Sequence, residues 1–427
     1  AAMRLGFAAL IVTPLALRRQ GWRSLSGMTR KQWLLALGAG LFLALHFATW
    51  ITSLEYTSVA SSTALVTTNL LWVGLVSFFV FRERLHPIML AGMNWITEPK
   101  LVSAVCNAGG LGILAIARCT LKETKELIRQ VRDMTDKPFG INQILIGPGA
   151  RENIETAIDE KVPVINYSLG KPWFVDAVHA YGGKVVGTIA IAKHATKAVQ
   201  AGCDALVVTG HEAAAHGAAA TSMVLIPIVA SVVNVPLIAA GGFYNGRGLA
   251  AALALGADGI SMGSRFMVVR ESMVHDNFKC LCLEATEQDT LYDTVFDGME
   301  GRVLKTKEAL AMTRRRGFPV MEAFNGALLV KNLMKLSWPK FAAVSLEMLR
   351  AEEGHPLVVL ARQAVGNMKH LKAINEGDME GGILFAGQCC GGITDNPTTM
   401  ELIDRIIVEA EATLEQLNKK RRQTNDS

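Results

Sequence analysis

Residues 236–266 read PLIAAGGFYNGRGLAAALALGADGISMGSRF. Two short apolar runs, Pro236–Ala240 and Gly259–Met262, flank an Ala/Leu-rich stretch introduced by Asn245 and closed by Gly256. Apolar runs of this length, bounded by glycine and separated by a helix-compatible segment, mark a parallel βαβ unit whose strands are buried on both faces. Six earlier runs repeat the texture: Ile88–Ala91, Leu111–Ala115, Phe139–Leu145, Pro163–Tyr167, Lys184–Thr188 and Ala205–Thr209. Eight strands, nearly every one followed by a helix-compatible stretch, predict a TIM (β/α)8 barrel of the α/β class over residues 87–270, in preference to an open doubly wound sheet. Thr97 before Glu98-Pro99 predicts a capped helix start, and Asn107-Ala-Gly-Gly its end. Residues 271–418 read as a mostly helical extension packing on the barrel. Residues 419–427, with Lys419-Lys420-Arg421-Arg422, read as a solvated polar tail in preference to a nucleic-acid contact.

The chain has 427 residues, half of them hydrophobic, which excludes a disordered or collagen-like protein and leaves ample material for a large core. Residues 1–90 hold eight Lys/Arg against two Asp/Glu, and residues 91–427 hold 35 against 36. The whole basic excess therefore sits in the first fifth of the chain and says little about nucleic acid. Seven cysteines form no zinc-spaced pair of CxxC motifs, which fits a reducing, cytosolic setting. Cys280 with Cys282 and Cys389 with Cys390 are candidate redox pairs, with incidental thiols the favoured reading.

Residues 1–86 read as two to three transmembrane-like helices. Gln32–Leu54 and Tyr56–Phe81 contain no Lys, Arg, Asp or Glu, and each reaches the roughly 20 apolar residues that a bilayer helix needs. Gly6–Leu17 is a shorter run without a signal-peptide pattern. Arg18, Arg19, Arg23, Arg30 and Lys31 lie between the first two runs, which puts that linker and the barrel on the cytoplasmic side of a membrane. The stretch HFATWITSLEYTSVASSTALVTTNLLWVGLVSFFVFRERL resembles part of an EamA-type drug/metabolite transporter. A fragment of such a helix bundle cannot enclose a polar path, so transport is rejected as the working function.

In a (β/α)8 barrel ligands lie at the carboxyl ends of the strands. Gly241 and Gly242 end the seventh run, and Gly263 and Ser264 end the eighth. Glycines there let backbone N–H groups approach a phosphate, and Ser264 adds a hydroxyl. The sixth run leads into Thr209-Gly210-His211-Glu212-Ala213-Ala214-Ala215-His216-Gly217. Two histidines and a carboxylate suit proton transfer or charge stabilisation. Metal binding is disfavoured, because no HExxH spacing exists. Ala91-Gly92-Met93 offers an apolar seat where a planar ring passes close, and Asn142 is a polar side chain in an apolar run, suited to a ligand edge or to bridging the core. No GxGxxG follows an early strand, so a Rossmann domain is absent.

The pieces AGMNWITEPKLVSAVCNAGGLGIL, PFGINQIL, GCDALVVTGHEAAAHG, VPLIAAGGFYNGRGLAAALALGADGISMGSRF and RESMVHDNFK together resemble the nitronate monooxygenase (2-nitropropane dioxygenase-like) family, from about Pro87 to Glu415. The resemblance implies an FMN-binding barrel, with Ala91, Gly92 and Met93 beside the isoalloxazine and Asn142 at its polar edge. It places Gly241, Gly242, Gly263 and Ser264 at the phosphate, with Gly210 also in the cofactor site, and makes His216 the active-site histidine. The implied reaction is oxidation of an alkyl nitronate with O2 to a carbonyl compound and nitrite. The alternative is an NAD(P)H-dependent reductase of quinones or enoyl thioesters, since RESMVHDNFK also resembles flavin enoyl-acyl-carrier-protein reductases. A transporter fragment carrying an inactive barrel is the alternative of another class. Ala214 and Ala215 stand where the family has glycines, Ser264 stands where Thr is usual, and transporter-like sequence replaces the family's leader before the first strand.

Overall fold

The computed structural model describes residues 86–146, 149–214, 216–314, 328, 337–339 and 357–425. The chain divides into two compact units, Ala1–Glu83 and Arg84–Ser427. The transmembrane-like helices expected at 1–86 lie outside the described residues, His86 apart. Among the described residues no helix is long and apolar enough to cross a membrane.

Among the described residues of the second unit, eight parallel strands alternate with helices: β1 (Ile88–Leu90), α1 (Pro99–Asn107), β2 (Ile113–Ala115), α2 (Leu121–Met134), β3 (Gly140–Ile144), α3 (Ala150–Asp159), β4 (Val164–Ser168), α4 (Val175–Ala180), β5 (Lys184–Ile189), α5 (Ala192–Gln200), β6 (Ala205–Thr209), α6 (Ser222–Ala230), β7 (Leu237–Ala240), α7 (Gly246–Ala254), β8 (Gly259–Met262) and the short α8 (Ser264–Met267). The sheet runs β1-β8-β7-β6-β5-β4-β3-β2. It closes on itself where Leu90 N donates to Leu111 O at 2.9 Å and Leu111 N to Ile88 O at 2.9 Å. The barrel expected from the sequence therefore forms, and its first strand pairs with β8 directly downstream of the transporter-like segment.

Inside the barrel, Met89, Ile113, Val186, Val207 and Ala240 form an apolar plug. Between the strands and their helices lies a larger core that includes Leu114, Ile141, Ile165, Leu206 and Ile260. This double burial explains why the strands read as unbroken apolar runs. Helix α7 is capped as expected, with Asn245 Oδ1 accepting from Gly248 N at 2.9 Å. Thr97 is not the cap expected for α1. That position is held by Glu98, without a side-chain bond. The Thr97 hydroxyl instead accepts from Ala115 N at 3.1 Å and donates to Met93 O at 3.1 Å, tying the first two βα turns together.

Downstream come α9 (Asp276–Glu284), β9 (Thr290–Asp293), β10 (Gly301–Leu304), α10 (Lys307–Arg314), α11 (Leu357–Leu371), a π turn (Lys372–Glu376), a 3-10 turn (Gln388–Gly392) and α12 (Thr399–Asn425). The extension is thus not purely helical, because β9 and β10 form an antiparallel hairpin. Residues 419–425, expected as part of a polar tail, continue α12. That helix does a barrel helix's work. Leu402, Ile403, Ile406 and Ala410 enter the main core, and Glu409 Oε2 accepts from Gly246 N at 2.8 Å. Since α8 is a single turn, α12 packs against α7 and α1 and supplies the outer layer there.

The loop between β2 and α2 is held by a buried amide. Asn153, buried in α3, donates to Ile116 O at 3.0 Å and Cys119 O at 3.1 Å, and its Oδ1 accepts from Thr124 Oγ1 at 3.0 Å. Replacing Asn153 with Ala strands these buried groups. The expected cost is about 2–3 kcal/mol, seen as a lowered midpoint in denaturant unfolding. An unchanged midpoint would show that the loop does not depend on this amide.

Candidate active site

Above the apolar plug the barrel interior turns polar. Asn142 on β3 donates to Asn166 Oδ1 on β4 at 2.6 Å. Asn166 in turn donates to Val186 O and Thr188 Oγ1 on β5, each at 3.0 Å. Asn142 therefore bridges within the barrel, and its Oδ1 is left to accept from a ligand edge. Gly92 rests against this amide, and a Cβ there would meet Asn142 Cγ at 2.8 Å. A Cβ at Gly263 would meet Met93 Sδ at 3.3 Å and Ala91 Cβ at 3.7 Å. Ala91, Gly92, Met93, Asn142 and Gly263 thus share one side of the barrel mouth.

The other side is built on glycine turns. Gly241 and Gly242 have φ of +93° and +85°, a left-handed pair that L side chains rarely adopt. A Cβ on Gly241 would meet Gly210 O at 2.9 Å and Ser222 Oγ at 3.0 Å. Ser264 Oγ accepts from Gly387 N at 2.8 Å, and its side chain also hydrogen-bonds the thiols of Cys389 and Cys390. Gly387 and Gln388 come from the extension, and Gln388 N donates to Glu212 O at 3.0 Å. Sequence reasoning missed this contribution, because the segment AGQCC carries no strand or helix pattern. A mouth floored by an amide, with bare glycine backbone and one hydroxyl, has the donor set for a planar heteroaromatic group bearing a phosphate.

The three polar residues after β6 separate in role. Glu212 accepts from Ser222 N at 2.9 Å and Ser222 Oγ at 3.0 Å, so it holds the start of α6 and is not free for proton transfer. His211 Nδ1 bonds Ala218 O at 3.1 Å, and its ring lies 4.4 Å from that of Tyr292. His216 alone meets an acid: its Nε2 lies 2.7 Å from Asp297 Oδ2. The His216 side chain is 26% exposed and that of Asp297 6%. Asp297 was not singled out from the sequence. Its only local signal is the Asp-Gly pair at 297–298, which reads as a turn. Ala214 lies beside Gly387, and Ala215 lies outside the described residues.

The hairpin that delivers Asp297 also clamps the loop. Tyr292 Oη donates to Gly217 O at 2.8 Å and Arg302 Nη2 to His211 O at 3.2 Å. Near the same hairpin stand Trp95, held at φ +63°, and Arg118, its guanidinium 5.8 Å from the Trp95 ring. Burial presses Arg118 below its usual pKa, and the Asp297 carboxylate opposes that shift. Behind them His370 is enclosed, its ring 6.2 Å from Trp95 and 5.2 Å from Phe385. Burial pushes its pKa down to about 4, against weaker upward effects of the Ile383 carbonyl and Asp297. The candidate redox thiols are all free, with Cys282 and Cys390 buried, Cys389 partly so and Cys280 exposed.

Compared with known proteins, the chain matches the family described as nitronate monooxygenase over residues 81–155 and 142–409. The EamA-like transporter family matches residues 1–97. The (3aS,4S,5R,7aS)-5-hydroxy-7a-methyl-1-oxo-octahydro-1H-indene-4-carboxyl-CoA dehydrogenase of Rhodococcus jostii (strain RHA1) is 37% identical over 76% of this chain and 92% of its own. The protein of the same name from Mycobacterium tuberculosis (strain ATCC 25618 / H37Rv) is 38% identical over 76% of this chain and 93% of its own. A probable nitronate monooxygenase of Staphylococcus aureus (strain Newman) is 28% identical over 54% of this chain and 79% of its own. Among solved structures, FabK from Thermotoga maritima superposes with a TM-score of 0.66 at 32% identity, covering 81% of this chain and 98% of that one.

The neutral ring of His370 is favoured by the fold, so its contribution to stability is complete above pH 6.5 and is lost as pH falls toward 4. The full effect is roughly 3 kcal/mol. Denaturant unfolding between pH 7 and 4 is expected to show a steeper acid loss in the unaltered protein than in H370F. Parallel profiles would contradict the assignment.

Proposed function

Because the chain belongs to the nitronate monooxygenase family and is a flavin-dependent oxidoreductase, we propose that it holds FMN at the barrel mouth and carries out a redox reaction on an acyl-CoA thioester. The observation that carries the substrate class is the match to two CoA dehydrogenases at 37% and 38% identity, spanning 92% and 93% of their lengths. The probable nitronate monooxygenase of Staphylococcus aureus (strain Newman) is matched at 28% identity over a shorter part of this chain. Oxidation of an alkyl nitronate with O2 is the second reading, favoured by the family match over residues 142–409.

The residues present fit FMN. Gly92, Ala91 and Met93 would lie along the ring, and Asn142 Oδ1 would accept from its polar edge. Gly210, Gly241, Gly242, Gly263 and Ser264 would surround the phosphate, where any larger residue at 210 or 241 would collide with Ser222 or with Gly210 itself. When bound, FMN supplies the electron-accepting and electron-donating chemistry. The protein orients the substrate over the ring, keeps bulk water out of a mouth walled by Trp95 and the hairpin, and moves the proton through His216. NAD(P)H is the proposed co-substrate in the reductive direction, with enoyl thioesters or quinones as acceptors. Residues 1–86 are proposed to anchor the barrel at the cytoplasmic face of a membrane. Recovery of the full-length chain in the soluble fraction without detergent would contradict that anchorage.

The test is anaerobic absorbance of the purified full chain. A flavin spectrum is expected, bleached by NADH or NADPH or by a saturated or hydroxylated acyl-CoA, and restored by an α,β-unsaturated acyl-CoA. Bleaching by a nitronate, with no response to nicotinamide or CoA compounds, would move the assignment to the second reading. A folded protein that binds no flavin would overturn both and leave the inactive-barrel alternative standing. G92A, whose Cβ displaces Asn142, is expected to lower flavin occupancy several-fold without changing the circular dichroism.

A further inference from the structure

We propose that Asp297 is a positioning residue that fixes the tautomer of His216, so that Nδ1 is the atom exchanging a proton with the substrate. The inference rests on the proton-transfer role assigned to His216 above and goes beyond it by naming the group that sets its geometry.

An ionised carboxylate can only accept hydrogen bonds, so at 2.7 Å from Asp297 Oδ2 the Nε2 of His216 carries the hydrogen. In the neutral ring the lone pair then lies on Nδ1, which becomes the base, and the protonated ring donates from the same atom. Asp297 is itself held, since its Oδ1 accepts from Met299 N at 3.2 Å and its side chain is nearly shut off from water. With Nε2 committed to a held carboxylate and the side chain 26% exposed, Nδ1 is the nitrogen left to exchange a proton. Of the other two polar side chains after β6, Glu212 is engaged at Ser222, and His211 at Ala218 and Tyr292.

The groups facing this pair come from several elements. Arg118, on the connection between β2 and α2, brings the opposing positive charge, so Asp297 is not an isolated buried anion. His370, on α11, is neutral near pH 7. Tyr292 and Arg302, on β9 and β10, fix the loop at Gly217 and His211 on either side of His216. His216 and Asp297 are 81 residues apart in the chain. The barrel supplies the histidine, and the extension decides which nitrogen it presents.

The test uses the full-length, flavin-loaded protein with the substrate pair that the absorbance experiment identifies. D297N preserves size, removes the charge and brings an amide N–H that can donate to Nε2, so the tautomer is no longer fixed. It is expected to keep its flavin, lower kcat about tenfold or more, leave KM within about twofold and change the shape of the kcat–pH profile. D297N combined with H216A is expected to be no slower than H216A alone, because the two act as a unit. Full activity in D297N, or losses that multiply in the double variant, would overturn the proposal. A second measurement does not depend on any Asp297 variant folding. The 15N imidazole signals of the unaltered protein, with His216 assigned through H216A, are expected to show the Nε2-protonated neutral tautomer, and the Nδ1-protonated form would overturn the inference. If H216A itself turns over normally, the proton-transfer role of His216 fails. If H216A is slow and D297N is not, only the role of Asp297 fails.

Discussion

Everything in the second unit depends on closing the parallel sheet at Ile88–Leu90. A parallel strand gains its pairing from both neighbours, and an unclosed edge would expose a row of unpaired N–H and C=O groups. Here three residues complete the ring, with Ile260 N bonded to Pro87 O on one side and the Leu90–Leu111 exchange on the other. Closure brings the end of β1 beside the ends of β3 and β8. That is why Gly92 reaches Asn142 while Met93 reaches Gly263. The same ring carries the apolar plug below and the hydrogen-bonded Asn142–Asn166–Thr188 side chains above it, so the polar end of the interior is the one toward the carboxyl ends.

The barrel does not finish its own site. Its eighth helix is a single turn, and the chain leaves through the hairpin and the 3-10 turn before returning as α12. On the way it places Gly387 against Ser264 and Asp297 against His216. The return is fastened by Arg265, whose guanidinium bonds Asp395 Oδ1 at 2.6 Å and Asp395 O at 3.1 Å, and by Arg405 on α12 at 2.6 Å from the same carboxylate. Burial lowers the pKa of Arg265, and Asp395 offsets part of that effect. Arg265 follows the Gly263-Ser264 turn directly, so a buried guanidinium on a shared, partly exposed carboxylate joins that turn to the extension.

The strands were legible because parallel strands buried on both faces write themselves as short β-branched and apolar runs. Every one of the eight expected runs overlaps an observed strand, with ends shifted by two residues or fewer. Asn245 was legible as a cap because its partner is three residues away. The hairpin was not, because all four residues of Thr290–Asp293 are half-buried and no apolar alternation marks them. Thr97 misled for a related reason: a threonine before Glu-Pro has a local use as a cap, but a bond to Ala115 across the fold takes its hydroxyl. The glycine turns and His216 could be picked out by their place after the late strands. Asp297, Gly387 and Arg118 could not, since their relevance lies in partners far along the chain that no local pattern encodes.

One mouth, shared by barrel and extension, is proposed to hold FMN for redox chemistry on a substrate over His216. The most direct measurement is a crystal structure of the full-length chain grown from flavin-loaded protein. The flavin is expected with its phosphate against Gly241, Gly242 and Ser264, its polar edge at Asn142, and His216 beside the open face of the ring. A flavin seated elsewhere, or a well-ordered barrel that takes up none, would contradict the claim.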